Sequence, residues 1–175
     1  MSTQNLSTGR TIDSPSRTTA NDAVSLLTDD HAEVAELFEE YESLADGDGA
    51  EDEKQALAER ICALLTVHST VEEEIFYPAA REALEAEKLL DEAEVEHATA
   101  KDLIEQIQSM EPGDELYDAK VKVLGEYINH HVQEEEGELF PLCQTADMEL
   151  DELGEEISAR KDELMDELGM TDDED

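Results

Sequence analysis

Basic side chains are scarce in this chain. Lysine and arginine together number 11 in 175 residues, against 50 aspartates and glutamates, for a formal net charge of −39. Nucleic-acid binders need Lys and Arg to neutralise phosphates, so the balance argues against a nucleic-acid partner. It equally disfavours an anionic membrane surface. Cysteine is nearly absent, with Cys62 and Cys143 alone. Two thiols make neither a disulfide framework nor a zinc–cysteine cluster, and both are expected in the core or half-buried. Long apolar runs are missing too. The N-terminus lacks the run of about 7–15 apolar residues of a signal peptide. No stretch reaches the roughly 18 apolar residues of a membrane span. A soluble, cytoplasmic protein is expected.

Extreme charge with few apolar residues would mean disorder, but Leu, Ile, Val and Ala recur periodically through most of the chain. At this charge the compact state would suffer self-repulsion unless the surroundings screen it. At molar salt the Debye length falls to about 3 Å, which nearly abolishes surface repulsion. The composition therefore predicts a halophilic microbial origin and loosening in dilute salt.

No strand pattern competes with the helical ones. Residues 1–21 are polar, with a Ser-Pro step, and read as a disordered tail. A first helix starts near Asp22, with Val24, Leu27, His31, Val34, Leu37, Phe38, Tyr41 and Leu44 on one face. Asp46-Gly47-Asp48-Gly49 ends it. The second helix, from about Glu51, carries Ile61, Leu65, His68, Glu72, Ile75 and Phe76 on its stripe, and Pro78 should bend or interrupt it. The third spans roughly 86–110, with Leu90, Ala93, His97, Ala100, Ile104 and Ile107 inward, before the break Glu111-Pro112-Gly113-Asp114. The fourth covers about 115–140, with Leu116, Val121, Leu124, Ile128, His131, Glu135 and Leu139 inward. A fifth, about 148–168, shows Leu150, Leu153, Ile157, Leu164 and Leu168, and should pack outside the others. Residues 171–175 form an acidic tail. Short loops between helices of about 25 residues imply an all-α, up-down-up-down antiparallel four-helix bundle over 22–146, with an extra C-terminal helix over 147–170. At about 1.5 Å per residue such helices approach 40 Å, long enough to enclose a site at mid-length.

One motif occurs twice. His68 is followed four residues on by Glu72 and six later by Pro78; His131, Glu135 and Pro141 repeat that spacing. Four residues are about one helical turn, so each His and Glu share a face. His31, His68, His97 and His131 each fall on the apolar stripe of a different helix. A single histidine there is ordinarily a satisfied core residue. Four, one per helix, are explained together by a buried metal. His130 with Glu134 makes a second four-residue pair, but counting back from the prolines selects His131 and Glu135 and leaves His130 for packing or support. Glu73, Glu74, Glu134 and Glu136 read most simply as solvated charge. Four imidazoles and two carboxylates without thiolate suit iron, or manganese, better than a structural zinc site. A ferritin-like site would need Glu-x-x-His on two helices, and only Glu94 with His97 fits.

His31, His68-x3-Glu72, His97 and His131-x3-Glu135, with Asp30-His31, Glu96-His97 and the Phe76-Tyr77-Pro78 and Leu139-Phe140-Pro141 ends, resemble the hemerythrin-like, HHE cation-binding family. The resemblance covers about residues 22–146. It implies a non-heme diiron centre held by His31, His68, Glu72, His97, His131 and Glu135. Oxygen-carrying hemerythrins place a second His one turn after the third-helix His. Lys101 stands there in this chain, so an open iron position is expected, with Lys101 solvated, supporting or weakly ligating. Tyr127, one turn before His131, is expected to pack near the site. The resemblance implies a protein that binds iron and oxygen or a related small ligand, in sensing, storage or stress defence. The alternative is a diiron enzyme acting on peroxide, oxygen or nitric oxide.

Overall fold

The computed structural model describes residues 21–47 and 49–170; the tails expected over 1–21 and 171–175 lie outside them except for Asn21. Four long helical segments form an antiparallel bundle: α1 (Ala23–Ala45), α2 (Glu51–Val71), α4 (Glu87–Gln108) and α5 (Tyr117–Glu134). Each packs on two others, α1 and α4 both lying beside α2 and α5. The cause is the apolar stripe on each helix, which can be buried only against its neighbours. Asp22 starts α1, its Oδ1 accepting from the Ser25 N–H at 2.8 Å.

Neither proline ends its helix. After α2 the chain runs through one π turn, Glu72–Phe76, and on into α3, Tyr77–Ala83. After α5 it runs through Glu135–Leu139 into α6, Phe140–Thr145. A proline in a helix lacks its N–H and clashes with the carbonyl four residues back. The wider π turn relieves both conflicts, so helix continues past the limits expected at Pro78 and Phe140. The fourth helix also begins later than expected. Leu116 is not on its inner face: it sits at φ 77° and is 62% exposed, while Tyr117 takes the buried place.

α7 (Leu150–Glu167) packs across α1, α2 and the first π turn, outside the bundle. Ile157 is its fully buried anchor, whereas Leu168 is 48% exposed. Gly154 lets α7 approach the start of α1 closely: a Cβ there would lie 2.2 Å from the Asn21 carbonyl oxygen.

The apolar core is divided in two. One part gathers Leu27, Val71, Phe76, Leu90, Phe140 and Ile157. The other gathers Val34, Leu37, Ile61, Leu65, Ile104 and Leu124. Cys62 and Cys143 are buried, one in each part, with free thiols that burial pushes up to about 12. Between the two parts lies a polar layer.

Candidate metal centre

That layer is built from one buried histidine per bundle helix and two buried glutamates. His31, His68, His97 and His131 are 4–7% exposed, and Glu72 and Glu135 are 0% and 2% exposed. Both glutamates open π turns, where the helix widens.

The histidines come in pairs. His31 and His68 bring their Nε2 atoms to 3.1 Å, and His97 and His131 do the same at 3.1 Å. Each glutamate spans both pairs. Glu72 places Oε1 3.1 Å from His68 Nε2 and Oε2 3.1 Å from His97 Nε2. Glu135 places Oε2 3.3 Å from His31 Nε2 and Oε1 3.4 Å from His131 Nε2. On the His31–His68 side these approaches lack hydrogen-bond geometry, so Glu72 Oε1 and Glu135 Oε2 are buried without a hydrogen-bond partner among the described residues. An orphaned buried carboxylate oxygen is costly unless a cation meets it. Ligand atoms at right angles on bonds of about 2.1 Å lie about 3 Å apart, the spacing of these donors. The residues therefore fit a metal: His31, His68, Glu72 and Glu135 offer one donor set, and Glu72, His97 and His131 a second.

The outward nitrogens are all engaged. His31 Nδ1 bonds Glu136 at 2.9 Å, His68 Nδ1 bonds Asp30 at 3.1 Å, His97 Nδ1 bonds Glu73 at 2.9 Å and His131 Nδ1 bonds Glu96 at 2.6 Å. An ionised carboxylate only accepts, so each Nδ1 carries the proton, and in the neutral ring the Nε2 lone pair faces the interior. The pattern has an internal two-fold logic. The acid preceding His31 or His97 supports the histidine of the next helix, and the acid following Glu72 or Glu135 supports His97 or His31. Glu73 and Glu136 are thus not plain solvated charge, the reading their surroundings suggested in the sequence. Glu74 remains a surface residue, bonded to Arg160 of α7 at 2.8 Å.

Sequence periodicity missed Tyr77. The π turn inserts one residue into the helical register, so the residue five after Glu72 rejoins its face, and the Tyr77 N–H bonds the Glu72 carbonyl. The phenol donates to Glu135 Oε1 at 2.5 Å and to Glu72 Oε2 at 3.2 Å, and lies 3.2 and 3.4 Å from the Nε2 atoms of His97 and His131. A buried hydroxyl is thus a further donor in the second set alone. The equivalent residue of the second copy is Phe140, stacked on His31 with ring centroids 5.7 Å apart. The Phe-Tyr-Pro triplet after a Glu was the available signal, but only the widened turn gives it meaning.

Charges inside the layer compensate one another. The Glu72 carboxyl is held well below the usual range: burial pushes it up, but His68 and His97 outweigh that. Glu135 is also lowered, His131 and His31 outweighing burial and the repulsion of Glu72. His68 is raised to about 10, because Glu72 and Asp30 overcome the burial that would lower it. His131 is raised to about 9, where Glu135, Glu72 and Glu96 overcome burial. Burial first, and then the two glutamate charges, push the Tyr77 phenol well above its ordinary value.

The remaining candidates lie outside the layer. His130 is exposed on α5, its Nε2 3.3 Å from Glu134 and 3.6 Å from Glu96. Tyr127 is 37% exposed on α5. Lys101 is paired, its Nζ lying 2.6 and 2.8 Å from the two oxygens of Glu73, the acid that supports His97. A cavity of about 30 Å³ adjoins all four histidines, walled by Val34, Leu65, Ala100, Ile104 and Ile128.

A family model described as Hemerythrin HHE cation binding domain matches residues 22–143. Among curated proteins, a DNA nickase of Nostoc sp. is 28% identical over 142 residues, covering 80% of this chain and 39% of that protein. The chain thus spans about two fifths of that relative's length. Among solved structures, a hemerythrin HHE cation binding domain-containing protein from Mycobacterium kansasii superposes with a TM-score of 0.70 at 23% identity. That match covers 83% of this chain and 88% of the other, a likeness of fold.

Proposed function

The chain belongs to the hemerythrin HHE cation-binding family, and from that premise we propose that it is a non-heme diiron protein binding oxygen or a related small ligand such as peroxide or nitric oxide, in sensing, storage or oxidative and nitrosative stress defence. The observation that carries the reading is the posture of Glu72 and Glu135, each of which directs one oxygen to each histidine pair. Two shared carboxylates between two pairs of imidazoles call for two cations. His31 and His68 would hold one iron and His97 and His131 the other, with the Tyr77 hydroxyl hydrogen-bonded to the carboxylates beside the second. Nitrogen and oxygen donors without thiolate favour iron over a structural zinc site, with manganese a weaker candidate.

Bound iron supplies a redox-active Lewis acid to which a small ligand coordinates. The chain supplies the rest. Its four carboxylate-supported imidazoles are pre-oriented, so little reorganisation accompanies binding. The cavity of about 30 Å³ beside the histidines has room for only a very small molecule. Tyr77 favours a second reading, turnover of peroxide, oxygen or nitric oxide. Its phenol keeps a proton within reach of both carboxylates and can deliver it to a ligand in the site. The DNA named for the Nostoc relative is not carried over. A net charge of −39 opposes duplex binding, and the match covers 39% of that protein.

Metal analysis with an optical spectrum, on protein purified in high salt, tests the proposal. The expected result is two irons per chain with oxo-bridge charge-transfer bands. A single bound ion, or zinc alone after iron was supplied, overturns it.

A further inference from the structure

The C-terminal helix α7 lies beyond residues 22–143, where the family model matches, yet it reaches the metal centre. The helix is strongly acidic, and its two basic residues are adjacent: Arg160 and Lys161. Both are directed at the bundle. Arg160 Nε donates to Glu74 in the first π turn at 2.8 Å. Lys161 Nζ donates to Asp30 Oδ1, while Asp30 Oδ2 accepts from His68 Nδ1 at 3.1 Å. Asp30 therefore sits between an ammonium and an imidazole. The two-fold counterpart of Asp30 is Glu96, which among the described residues has no lysine partner. The exposed His130 stands 3.6 Å from it instead.

We infer that Lys161 is a positioning residue of the metal centre, acting through Asp30 on His68, so that α7 is a working part of the site. The inference rests on the diiron reading. An ammonium draws charge from the Asp30 carboxylate, which then pulls less strongly on the His68 Nδ1 proton. The imidazole remains a neutral donor and does not acquire imidazolate character. The ammonium also adds a positive charge near the ion. Both effects favour the ferrous state, because less negative charge surrounds the iron.

The test uses the full chain loaded with iron. Its readouts are the midpoint potential by spectroelectrochemistry and the rate of iron loss to a chelator. Lys161→Met should shift the ferrous-to-ferric ratio at fixed potential about tenfold toward ferric, roughly 59 mV for one electron. Iron loss should slow severalfold, because the positive charge near the ion is gone and His68 donates more strongly. Lys161→Arg should restore both values. Arg160→Gln removes the neighbouring cation of α7, which pairs with exposed Glu74 and not with Asp30, and should leave the potential native. Asp30→Asn removes the negative partner and should move the potential upward, opposite to Lys161→Met. It also serves as the second probe if Lys161→Met does not fold. An unchanged potential in Lys161→Met or Asp30→Asn overturns the inference, as does an equal shift in Arg160→Gln. A native protein that takes up no iron overturns the diiron reading and the inference with it. Iron uptake with variants indistinguishable from native overturns the inference alone.

Discussion

Glu72, Glu73 and Glu74 are consecutive, chemically identical and placed in three different environments. Glu72 is fully buried between the histidine pairs, Glu73 supports His97, and Glu74 meets Arg160 at the surface. Metal retention should rank accordingly. Glu72→Ala should strip the site, Glu73→Gln should weaken metal binding by about 10–100-fold, and Glu74→Ala should be near neutral. Metal content after gel filtration checks this, and equal loss in all three would end the assignment. By the same reasoning His131→Ala should lose metal while the exposed His130→Ala retains it. The histidines also carry a pH signature in the metal-free protein. His68 and His131 have folded values of about 10 and about 9, above the ordinary 6.5. Groups raised on folding stabilise the fold fully below their unfolded value and lose that contribution as pH rises through the folded one. The metal-free protein should therefore melt lower as pH increases from 6.5 toward 10, a trend that thermal scans would show or refute. Metal requires these imidazoles deprotonated, so loading at neutral pH should release protons into weak buffer.

The π turns are where each helix solves two problems at once. Pro78 and Pro141 would break a regular helix, and the extra residue of the wider turn accommodates them. The same extra residue turns Tyr77 and Phe140 toward the layer, one onto the carboxylates and the other onto His31. α7 depends on a different local device. Its Gly154 faces the backbone of residues 21–23, and a Cβ would lie 2.2 Å from the Asn21 oxygen, a distance no side chain tolerates. Gly154→Ala must push α7 away from the start of α1. It should destabilise by about 1–3 kcal/mol as an overpacked contact. A melt equal to native would show that α7 re-docks at no cost. If Lys161 acts through Asp30, the same variant should also disturb the iron spectrum.

A net charge of −39 affects the molecule as one body. Repulsion among so many surface carboxylates opposes compaction, and salt screens it. We propose a salt-rich cytoplasm as the setting for which this surface is suited. Among the described residues no helix is long and apolar enough to cross a membrane. Circular-dichroism melts in molar and in dilute salt should differ, the dilute sample unfolding earlier or losing helix. Coincident melts would remove the halophilic assignment while leaving the metal centre intact. The buried layer should respond much less to salt than the surface, because its charges are shielded from solvent and compensated locally.

The helices, their antiparallel order and the identity of the six buried His and Glu residues were legible in the chain. The helices and their buried His and Glu follow from spacings of three or four residues within one helix, and the antiparallel order from the short loops between them; both signals are local. The charge is likewise a matter of counting. Other features depended on how distant segments meet. Tyr77 required a π turn whose register no α-helical pattern contains. The support of His68 by Asp30, of His97 by Glu73, of His131 by Glu96 and of His31 by Glu136 crosses from one helix to another. In a chain with 50 acidic residues, composition cannot single out those four. Lys101 and Lys161 acquire roles only because Glu73 and Asp30 stand beside them in space. A periodic pattern states which way a side chain faces, and packing between helices states what it faces.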